Sequence, residues 1–344
     1  MITWIEQENL NENLSEYITE ILGIEVHPAA LRHLSGDSIR NRIPFPRLEK
    51  HVGYLFGIAY IPSNTENPSA DFDAVIFAAN HDSVVARIIE FDDEENTSTL
   101  LWDELKPKLA NVNSEDSTAD GGEFILNLFR ETTNLLWEDA ENIRTFLDEK
   151  LDMDDGAERL AIGEISARHD RLNQKERQAL LRELNKLSPT MSIISTEMNQ
   201  MKRVANESEA ILRALCNDED QNDLRVDLSG QRRELFAKDL EIYLRDTWEL
   251  CRTLVATLEE IEALIEEANT SINLLTDQEN VYASRATAAG AALLLFPTFF
   301  VGLWGMNFDS MPELNWKFGY PFALGVMCVI AFGTYRYFKK NNWL

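Results

Sequence analysis

The sequence is poor in basic residues. It holds 32 lysines and arginines against 59 aspartates and glutamates in 344 residues, which gives a formal charge of −27. Because nucleic-acid phosphates are bound through basic patches, this deficit argues against nucleic acid as a partner. An acidic surface favours solubility and attracts divalent cations.

Cysteine is also scarce. Cys216, Cys251 and Cys328 are far apart, odd in number, and form no CxxC or Cys/His pair. This pattern argues against a zinc site and against a disulfide framework. A reducing, cytosolic environment is therefore expected for the soluble part of the chain.

The usual motifs of an enzyme are missing as well. The sequence has neither a glycine-rich phosphate loop nor a nucleophile elbow. None of the five histidines is spaced with an acid or a nucleophile as catalysis or metal binding would require; they are His27, His33, His51, His81 and His169. We therefore expect neither enzymatic activity nor an organic cofactor.

Two long apolar runs stand near the C-terminus. Residues 286–304 and 318–335 contain 19 and 18 residues without a charge. Each could span a hydrocarbon core of about 30 Å as a helix. Aromatic residues at the ends of both runs fit the two membrane interfaces; they are Trp304, Trp316, Tyr320, Tyr335, Tyr337 and Trp343. The pattern predicts two transmembrane helices, 286–308 and 318–335.

Basic residues orient these helices. Arg285 precedes the first run, and Arg336, Lys339 and Lys340 lie in the tail 336–344. Because basic residues favour the cytoplasmic side, both termini are expected in the cytoplasm and the loop 309–317 outside. This predicts a multi-pass protein of the inner (plasma) membrane. The residues up to Arg285 then carry 28 basic and 57 acidic side chains, a charge of −29.

Residues 1–122 have the composition of a cytosolic α/β domain. Apolar, β-rich runs between turn residues predict strands at 2–5, 54–61, 73–79 and 83–91. Helical patterns occupy about 9–22 and 27–34. The expected architecture is an α+β cytosolic domain followed by long helices and the two C-terminal transmembrane helices.

The next two regions are helical. Residues 123–230 carry long helical periodicities, for which a break is predicted at Ser188-Pro189. Residues 231–285 contain no proline and predict a stalk helix that continues into the first apolar run. Its coiled-coil-like seam has a 4-3-4-3 spacing: Leu254, Leu258, Ile261, Ile265, Ala268, Ile272 and Leu275.

A second stripe of similar spacing follows in the first apolar run. It consists of Ser284, Ala288, Ala291, Leu295, Thr298 and Gly302. Stripes of small residues in membranes mediate close helix packing or line a pore, and the spacing leaves both open. Two helices cannot enclose a polar path, so a pore requires a symmetric oligomer.

Asn307 favours the pore. An amide ring, one per subunit, offers neutral oxygens that bind a hydrated cation without trapping it. This suits Mg²⁺, which gives up its water reluctantly. Gly305 would let the helix end there, while Asp309 and Glu313 would raise the local concentration of cations outside.

The stretch GMNFDSMPEL (305–314), followed by WKFGYPFAL and the basic end YFKKNNWL, closely resembles the CorA family of magnesium transporters. More loosely, GIEVHPAALRHL (23–34) and PRLEKHVGYLF (46–56) look like the N-terminal domain of that family. The resemblance implies a funnel-shaped homopentamer that conducts Mg²⁺, with Co²⁺ and Ni²⁺ as further ions, and that is gated by intracellular Mg²⁺.

The resemblance also implies residue roles. Gly305, Met306 and Asn307 match the selectivity filter, Thr298 the pore threonine and Leu295 a hydrophobic constriction. Ser284 and Thr287 stand where methionine and leucine are common in the family, so the hydrophobic gate is expected to be shorter or to rest on Leu295 alone. Asp246, in the segment YLRDTWE (243–249), matches the regulatory Mg²⁺ site of the family. Asp71 and Asp73 are the candidates for the partner carboxylate from the N-terminal domain.

Two alternative functions stay open at this point. The first is a zinc transporter of the ZntB type, although the loop MPEL (311–314) favours magnesium. The second belongs to another class, a membrane-anchored scaffold or metal sensor without transport, for which Asn307 would be dispensable.

Overall fold

The computed structural model describes residues 2–5, 14–35, 46–62, 72–89, 97–109, 120–151, 174–217, 235–236, 239–306 and 316–341. The chain forms two compact units. The first consists of Met1–Leu160 and Leu187–Glu267, and the second of Ala161–Lys186 and Ala268–Leu344.

A five-stranded sheet lies in the first unit. Its strands are β1 (Ile2–Trp4), β2 (Arg47–His51), β3 (Tyr54–Pro62), β4 (Phe72–Ala79) and β5 (Val84–Ile89). Their order is β1-β5-β4-β3-β2; β1 pairs with β5 in parallel and all other pairs are antiparallel. The four strands predicted from apolar runs are confirmed.

Strand β2 is the one that the sequence pattern did not predict. Its sequence, RLEKH, is polar and lies at the sheet edge, paired with β3 alone in the sheet order. An edge strand needs little apolar surface, and its charged residues discourage pairing with other chains. The apolar run that marks β3 and β4 is therefore absent from β2.

Both faces of the central strands are covered. All residues of β3 and β4 are buried, as expected of strands with an apolar layer on each side. One face packs with helices α1 (Leu14–Leu22) and α2 (Pro28–Leu34), through residues such as Phe56. The other face packs with helices α3 (Thr97–Leu109) and α4 (Gly121–Leu151), through residues such as Phe77.

Helix α4 begins at a side-chain cap. The Oδ1 atom of Asp120 accepts a hydrogen bond of 2.8 Å from the amide of Glu123, which satisfies one of the free donors of the first turn. A Cβ atom at Gly121 would lie 2.1 Å from the carbonyl oxygen of Asn80. Glycine at this position therefore allows the helix start to lie directly against the turn that follows β4.

Helix α5 spans Gln174–Cys216 and continues through Pro189. The break predicted at Ser188-Pro189 is therefore wrong. Proline removes one amide donor and leaves the carbonyl of the residue four positions earlier, Asn185, without its helical partner. Asn185, Ser188 and Pro189 are all exposed, so water can satisfy this carbonyl and the helix persists.

Helix α6 is a single helix of 65 residues, Leu240–Trp304, and confirms the long helix expected from the sequence. All seven residues of the predicted seam are buried, from Leu254 to Leu275. The helix also continues through Pro297, whose missing amide leaves the carbonyl of Leu293 without its usual donor.

Helix α7 spans Gly319–Lys340 and extends past the apolar run into the basic tail. Near its end the ammonium of Lys339 lies 5.7 Å from the ring centre of Tyr335. Trp316, just before the helix, contacts the rings of Phe318 and Phe322.

Candidate functional site

The apolar stretches of α6 and α7 are long and apolar enough to cross a membrane by length and composition. Very little of the stretch in α6 is buried in the single chain, and none of the stretch in α7. The core helix of a soluble protein would be mostly covered, because exposed apolar surface on this scale is costly in water. The exposure therefore favours contact with lipid or with further copies of the chain.

The apolar part of α6 has one covered face. Ala289 is fully buried. The other covered residues are half-buried and recur at helical spacing; they are Gly290, Ala292, Leu293, Pro297, Phe300 and Trp304. Helix α7 has a similar half-buried face, made of Gly319, Ala323, Val326, Met327, Ile330, Ala331, Thr334 and Phe338.

The stripe predicted from spacing lies on the opposite face of α6. Every member is exposed, including Leu295 at 65% and Thr298. At about 100° per residue, the mean direction of the stripe is about 180° from that of the covered residues. The other members are Ser284, Ala288, Ala291 and Gly302, and Thr287 is exposed beside them. The small residues are thus placed where a second copy of the chain could approach.

The two threonines of this face use their hydroxyl hydrogens within the helix. Thr287 Oγ1 donates to the carbonyl oxygen of Ala283 at 2.9 Å, and Thr298 Oγ1 donates to that of Leu294 at 2.8 Å. A hydroxyl that donates in this way keeps its oxygen lone pairs as acceptors. Both side chains can therefore offer a neutral oxygen to a cation or to its hydration water.

The helix tightens where it ends. The amide of Gly305 donates to the carbonyl oxygen of Val301 at 2.9 Å, while that of Met306 reaches back three residues to Leu303 at 3.4 Å. A Cβ atom at Gly305 would lie 2.9 Å from the oxygen of Val301, so a larger residue would push this turn apart. Glycine therefore suits the close turn that leads to Asn307.

Several predicted site residues lie outside the described part of the chain. They are Asn307, Asp309, Glu313 and Asp71. Their roles in the filter, the outer loop and the regulatory site stay predictions. Gly305 and Met306 are described, and both are exposed at the end of α6.

The two described candidates for the regulatory site differ in their surroundings. Asp246 is exposed on α6. Asp73 is 2% exposed on β4, and its Oδ2 atom accepts a hydrogen bond of 2.9 Å from the indole of Trp102. Because Asp73 is buried, a metal ion could reach it only if the packing around it opened, so Asp246 is the more accessible candidate. Among the described residues, no three histidine, cysteine or acidic side chains are placed to hold a metal ion within one chain.

Two titratable groups in the helices of the first unit have raised pKa values: Asp139 is half-buried and Cys251 is buried. Burial, followed by the charges of Glu138 and Glu197, raises the pKa of Asp139 to about 7. Burial also raises the pKa of Cys251 to about 12, and its thiol donates to the carbonyl oxygen of Ala205 at 3.5 Å. Cys251 is thus an unreactive core residue.

Three of the histidines gather at one edge of the sheet, which no spacing in the sequence predicts. His27 stacks on His51 with ring centres 5.7 Å apart, and His33 lies 2.6 Å from Arg47 through its Nε2 atom. These residues are up to 24 positions apart and follow no periodic pattern, so the fold alone brings them together.

Comparison with known proteins gives a consistent result. A family model described as CorA-like Mg²⁺ transporter protein matches residues 160–340. The chain is 28% identical over 176 residues to the magnesium transport protein CorA of Pasteurella multocida, which covers 47% of this chain and 56% of that protein. It is 34% identical over 128 residues to the cobalt/magnesium transport protein CorA of Thermotoga maritima, covering 35% of each.

The matched segments thus span about half, or less, of the length of these relatives. Among solved structures, the complete CorA magnesium transporter of Methanocaldococcus jannaschii resembles the chain with a TM-score of 0.62 at 12% identity. That match covers 100% of this chain and 90% of the other, and it shows a shared fold.

Proposed function

The chain belongs to the CorA-like Mg²⁺ transporter family, whose model matches more than half of it, and on this premise we propose that it transports divalent cations through a channel. The proposed cargo is Mg²⁺, with Co²⁺ and Ni²⁺ as further ions. The matched relatives are named for magnesium or for cobalt and magnesium.

The exposed stripe on α6 is the observation that supports this proposal best. Its small side chains lie opposite the covered face of the helix and end near Gly305. In a ring of identical subunits, each copy would turn this face toward the common axis. Backbones can then approach closely, and the threonine hydroxyls would line the space between them.

The proposed assembly is a homopentamer with a funnel-shaped cytosolic part, as the family resemblance implies. The two apolar helices would cross the inner (plasma) membrane, with both chain termini in the cytoplasm and residues 309–317 outside. Arg336, Lys339 and Lys340 at the end of α7 support this orientation through their basic charge.

We place the selectivity filter at Gly305, Met306 and Asn307. A ring of Asn307 amides would bind a hydrated Mg²⁺ through neutral oxygens. The Thr298 hydroxyls would receive the ion next, and the exposed Leu295 side chains would form the hydrophobic constriction beyond them. Asp309 and Glu313 would concentrate cations at the entrance.

The membrane potential would drive this uptake. Moving a divalent ion inward through 100 mV releases about 4.6 kcal/mol, twice the single-charge value. No coupling to a second reaction is needed for accumulation at that driving force. A gate is needed instead, because an open pore would let the ion equilibrate.

Regulation by intracellular Mg²⁺ would supply that gate. Asp246 is our candidate ligand because it is exposed on α6, where a neighbouring subunit can share the ion. Asp71 and Asp73 are the candidate partners, although Asp73 would first have to leave Trp102.

Ion flux into liposomes tests the function. The full chain is reconstituted, and uptake of Mg²⁺, Co²⁺, Ni²⁺ and Zn²⁺ is compared with and without a proton gradient. We expect Mg²⁺ uptake in the unmodified chain and a loss of about tenfold or more in Asn307→Ala, since each substitution removes a whole ring of ligands. Asn199→Ala, an exposed amide on α5, is the matched control and should transport normally.

The remaining outcomes distinguish the alternatives. Uptake of Zn²⁺ without Mg²⁺ would assign the chain to zinc transport. Absence of flux for every ion, in a chain that assembles and inserts normally, would favour a scaffold or sensor.

A further inference from the structure

The last turn of helix α7 carries three positive charges on one side. Arg336, Lys339 and Lys340 are all exposed, and residues three and four positions apart lie next to each other on a helix. None of the three forms an ion pair with another residue that the structure describes. We call them the basic turn, and their charge is available to a partner outside the chain.

Lys339 holds its charge close to the apolar part of the helix. Its ammonium lies 3.5 Å from the hydroxyl oxygen of Tyr335 and 5.7 Å from the centre of that ring. Tyr335 is one turn nearer to the apolar stretch, and long side chains on a helix lean in that direction. Tyrosine and lysine are typical of the boundary between hydrocarbon and lipid head groups. The basic turn is therefore expected at the depth of the head groups.

An apolar row leads up to the basic turn along the same side of the helix. Gly325, Val329 and Phe332 precede Arg336 at a 4-3-4 spacing, and all three are exposed, Val329 at 72% and Phe332 at 61%. At about 100° per residue, the mean direction of these three residues lies within about 15° of that of the basic turn. We call Gly325, Val329 and Phe332 the outer row.

The outer row and the basic turn lie away from the face of α7 that the chain itself covers. That half-buried face contains Ala323, Ile330 and Thr334. Its mean direction is about 160° from that of the basic turn by the same helical geometry. A Cβ atom at Gly325 would have no neighbour within 4 Å, so no described residue packs on the helix at this point.

The length of the outer row fits one leaflet of a membrane. From Gly325 to Arg336 the helix rises by about 16 Å, and half of a hydrocarbon core is about 15 Å thick. An acyl chain extended along the row would therefore bring its head group to the basic turn. The phosphate would meet two ammonium groups and one guanidinium, which binds phosphate oxygens in a fork.

Lipid suits this side of α7 better than a second copy of the chain does. In a membrane, protein cover offers an apolar side chain little that lipid tails do not, and close contacts between helices use small residues. The stripe on α6 has such residues, whereas Val329 and Phe332 are large. Two copies that met through this side of α7 would also bring their basic turns together, which like charges oppose.

We propose that the outer row and the basic turn bind an anionic phospholipid of the leaflet that faces the chain termini. One acyl chain lies along the outer row, and the phosphate lies at Arg336, Lys339 and Lys340. A zwitterionic phospholipid would make the same apolar contact, but the basic turn would repel its positive group. The inference rests on the proposed insertion of α7 into a membrane, and it does not depend on ion transport.

Native mass spectrometry of the full chain, released from detergent micelles, tests this preference. Equal amounts of phosphatidylglycerol and phosphatidylcholine with the same acyl chains are added, and the bound lipids are counted per subunit. We expect about a tenfold preference for phosphatidylglycerol, because each basic residue near a membrane surface attracts anionic lipid. Glycerol phosphate has the charge but no acyl chain, so at equal concentration it should not displace the lipid.

Two double variants separate the effect of charge from a general change in the helix. Lys339→Gln with Lys340→Gln removes two charges, and the preference should fall below about threefold. Lys339→Arg with Lys340→Arg keeps the charges and should keep the preference. Lys317→Gln, which changes an exposed lysine before the other end of α7, should bind lipid like the unmodified chain. The oligomer mass in the same spectra shows whether each variant is assembled.

Three results would overturn the lipid site. They are equal binding of the two lipids by the unmodified chain, an undiminished preference in the assembled glutamine variant, and displacement of the lipid by glycerol phosphate at equal concentration. The first and third need no variant, so they decide the question even if the glutamine variant does not assemble.

Two further outcomes separate this inference from other readings of the chain. Equal lipid binding by the unmodified chain, together with loss of the oligomer in the glutamine variant, would assign the basic turn to an acidic surface of another copy. An intact lipid preference without ion flux would contradict the proposed transport and leave the lipid site in place.

Discussion

At the scale of single residues, Asp139 couples the stability of the first unit to pH. Its pKa is raised from 3.8 to about 7, chiefly by burial and then by Glu138 and Glu197. The native chain therefore holds a proton that the unfolded chain gives up. The contribution of this group to the free energy of unfolding is greatest below about pH 4 and is lost as the pH rises toward 7.

Asp139→Asn should remove this dependence. Relative to the unmodified chain, we expect the variant to gain about 3 kcal/mol at most between about pH 4.5 and pH 7.5, because it has no charge to bury. Thermal unfolding in detergent at the two pH values measures the difference. Asp148→Asn, at an exposed position of the same helix, is the control and should leave the pH profile unchanged. Parallel profiles for the Asp139 variant and the unmodified chain would contradict this.

The burial of single residues was predictable where a regular spacing in the sequence marks it. The 4-3-4-3 spacing identified seven residues of α6 that are all buried. The surroundings of Asp73 could not be predicted, because its partner Trp102 is 29 positions away and joins it only through the packing of α3. The grouping of His27, His33 and His51 was missed for the same reason.

At the scale of elements, the packing of α4, α5 and α6 can be tested with two adjacent isoleucines. Ile194 of α5 is 2% exposed in the core, whereas Ile193 beside it is 55% exposed. Ile194→Ala should lower the free energy of unfolding by about 2–5 kcal/mol, and Ile193→Ala by well under half of that. Urea titration of the full chain in detergent measures both, and equal losses would show that this face of α5 is not packed as described.

Element boundaries were predictable where the pattern is strong. Long apolar runs predicted β3, β4 and the two C-terminal helices. A strand that is buried on both faces needs such a run, and so does a helix that crosses a membrane. The sequence pattern missed β2, which needs no apolar face because it lies at the sheet edge. The break predicted at Ser188-Pro189 was wrong, because Asn185 is exposed and water can satisfy its carbonyl. Exposure is a property of the folded molecule, so local composition could not supply it.

At the scale of the whole molecule, the proposed gate predicts a response to internal Mg²⁺. Asp246→Ala should make flux less sensitive to inhibition by Mg²⁺ inside the liposome, because one ligand of each shared site is lost. Glu260→Ala, another exposed carboxylate of α6, is the control. Oligomer mass in detergent, measured with Mg²⁺ and with a chelator, shows whether the variant still assembles. Unchanged inhibition in an assembled Asp246 variant would remove this residue from the sensor.

The order of the domain and the helices was predicted from the sequence more completely than the surroundings of single residues. An α/β domain, long helices and two apolar C-terminal helices were all expected, and the structure has them in this order. The roles proposed for the filter loop rest on the sequence alone, because Asn307, Asp309 and Glu313 lie outside the described residues.

Pro297 makes the long helix α6 easier to bend at this position. One hydrogen bond fewer resists flexure there, so less work is needed to curve the helix at this point than a few residues away. Leu295 and Thr298 lie on either side of it, on the exposed face. In the proposed pore, a small change in the curvature of each helix would be converted into a change of radius at the two rings that the ion must pass.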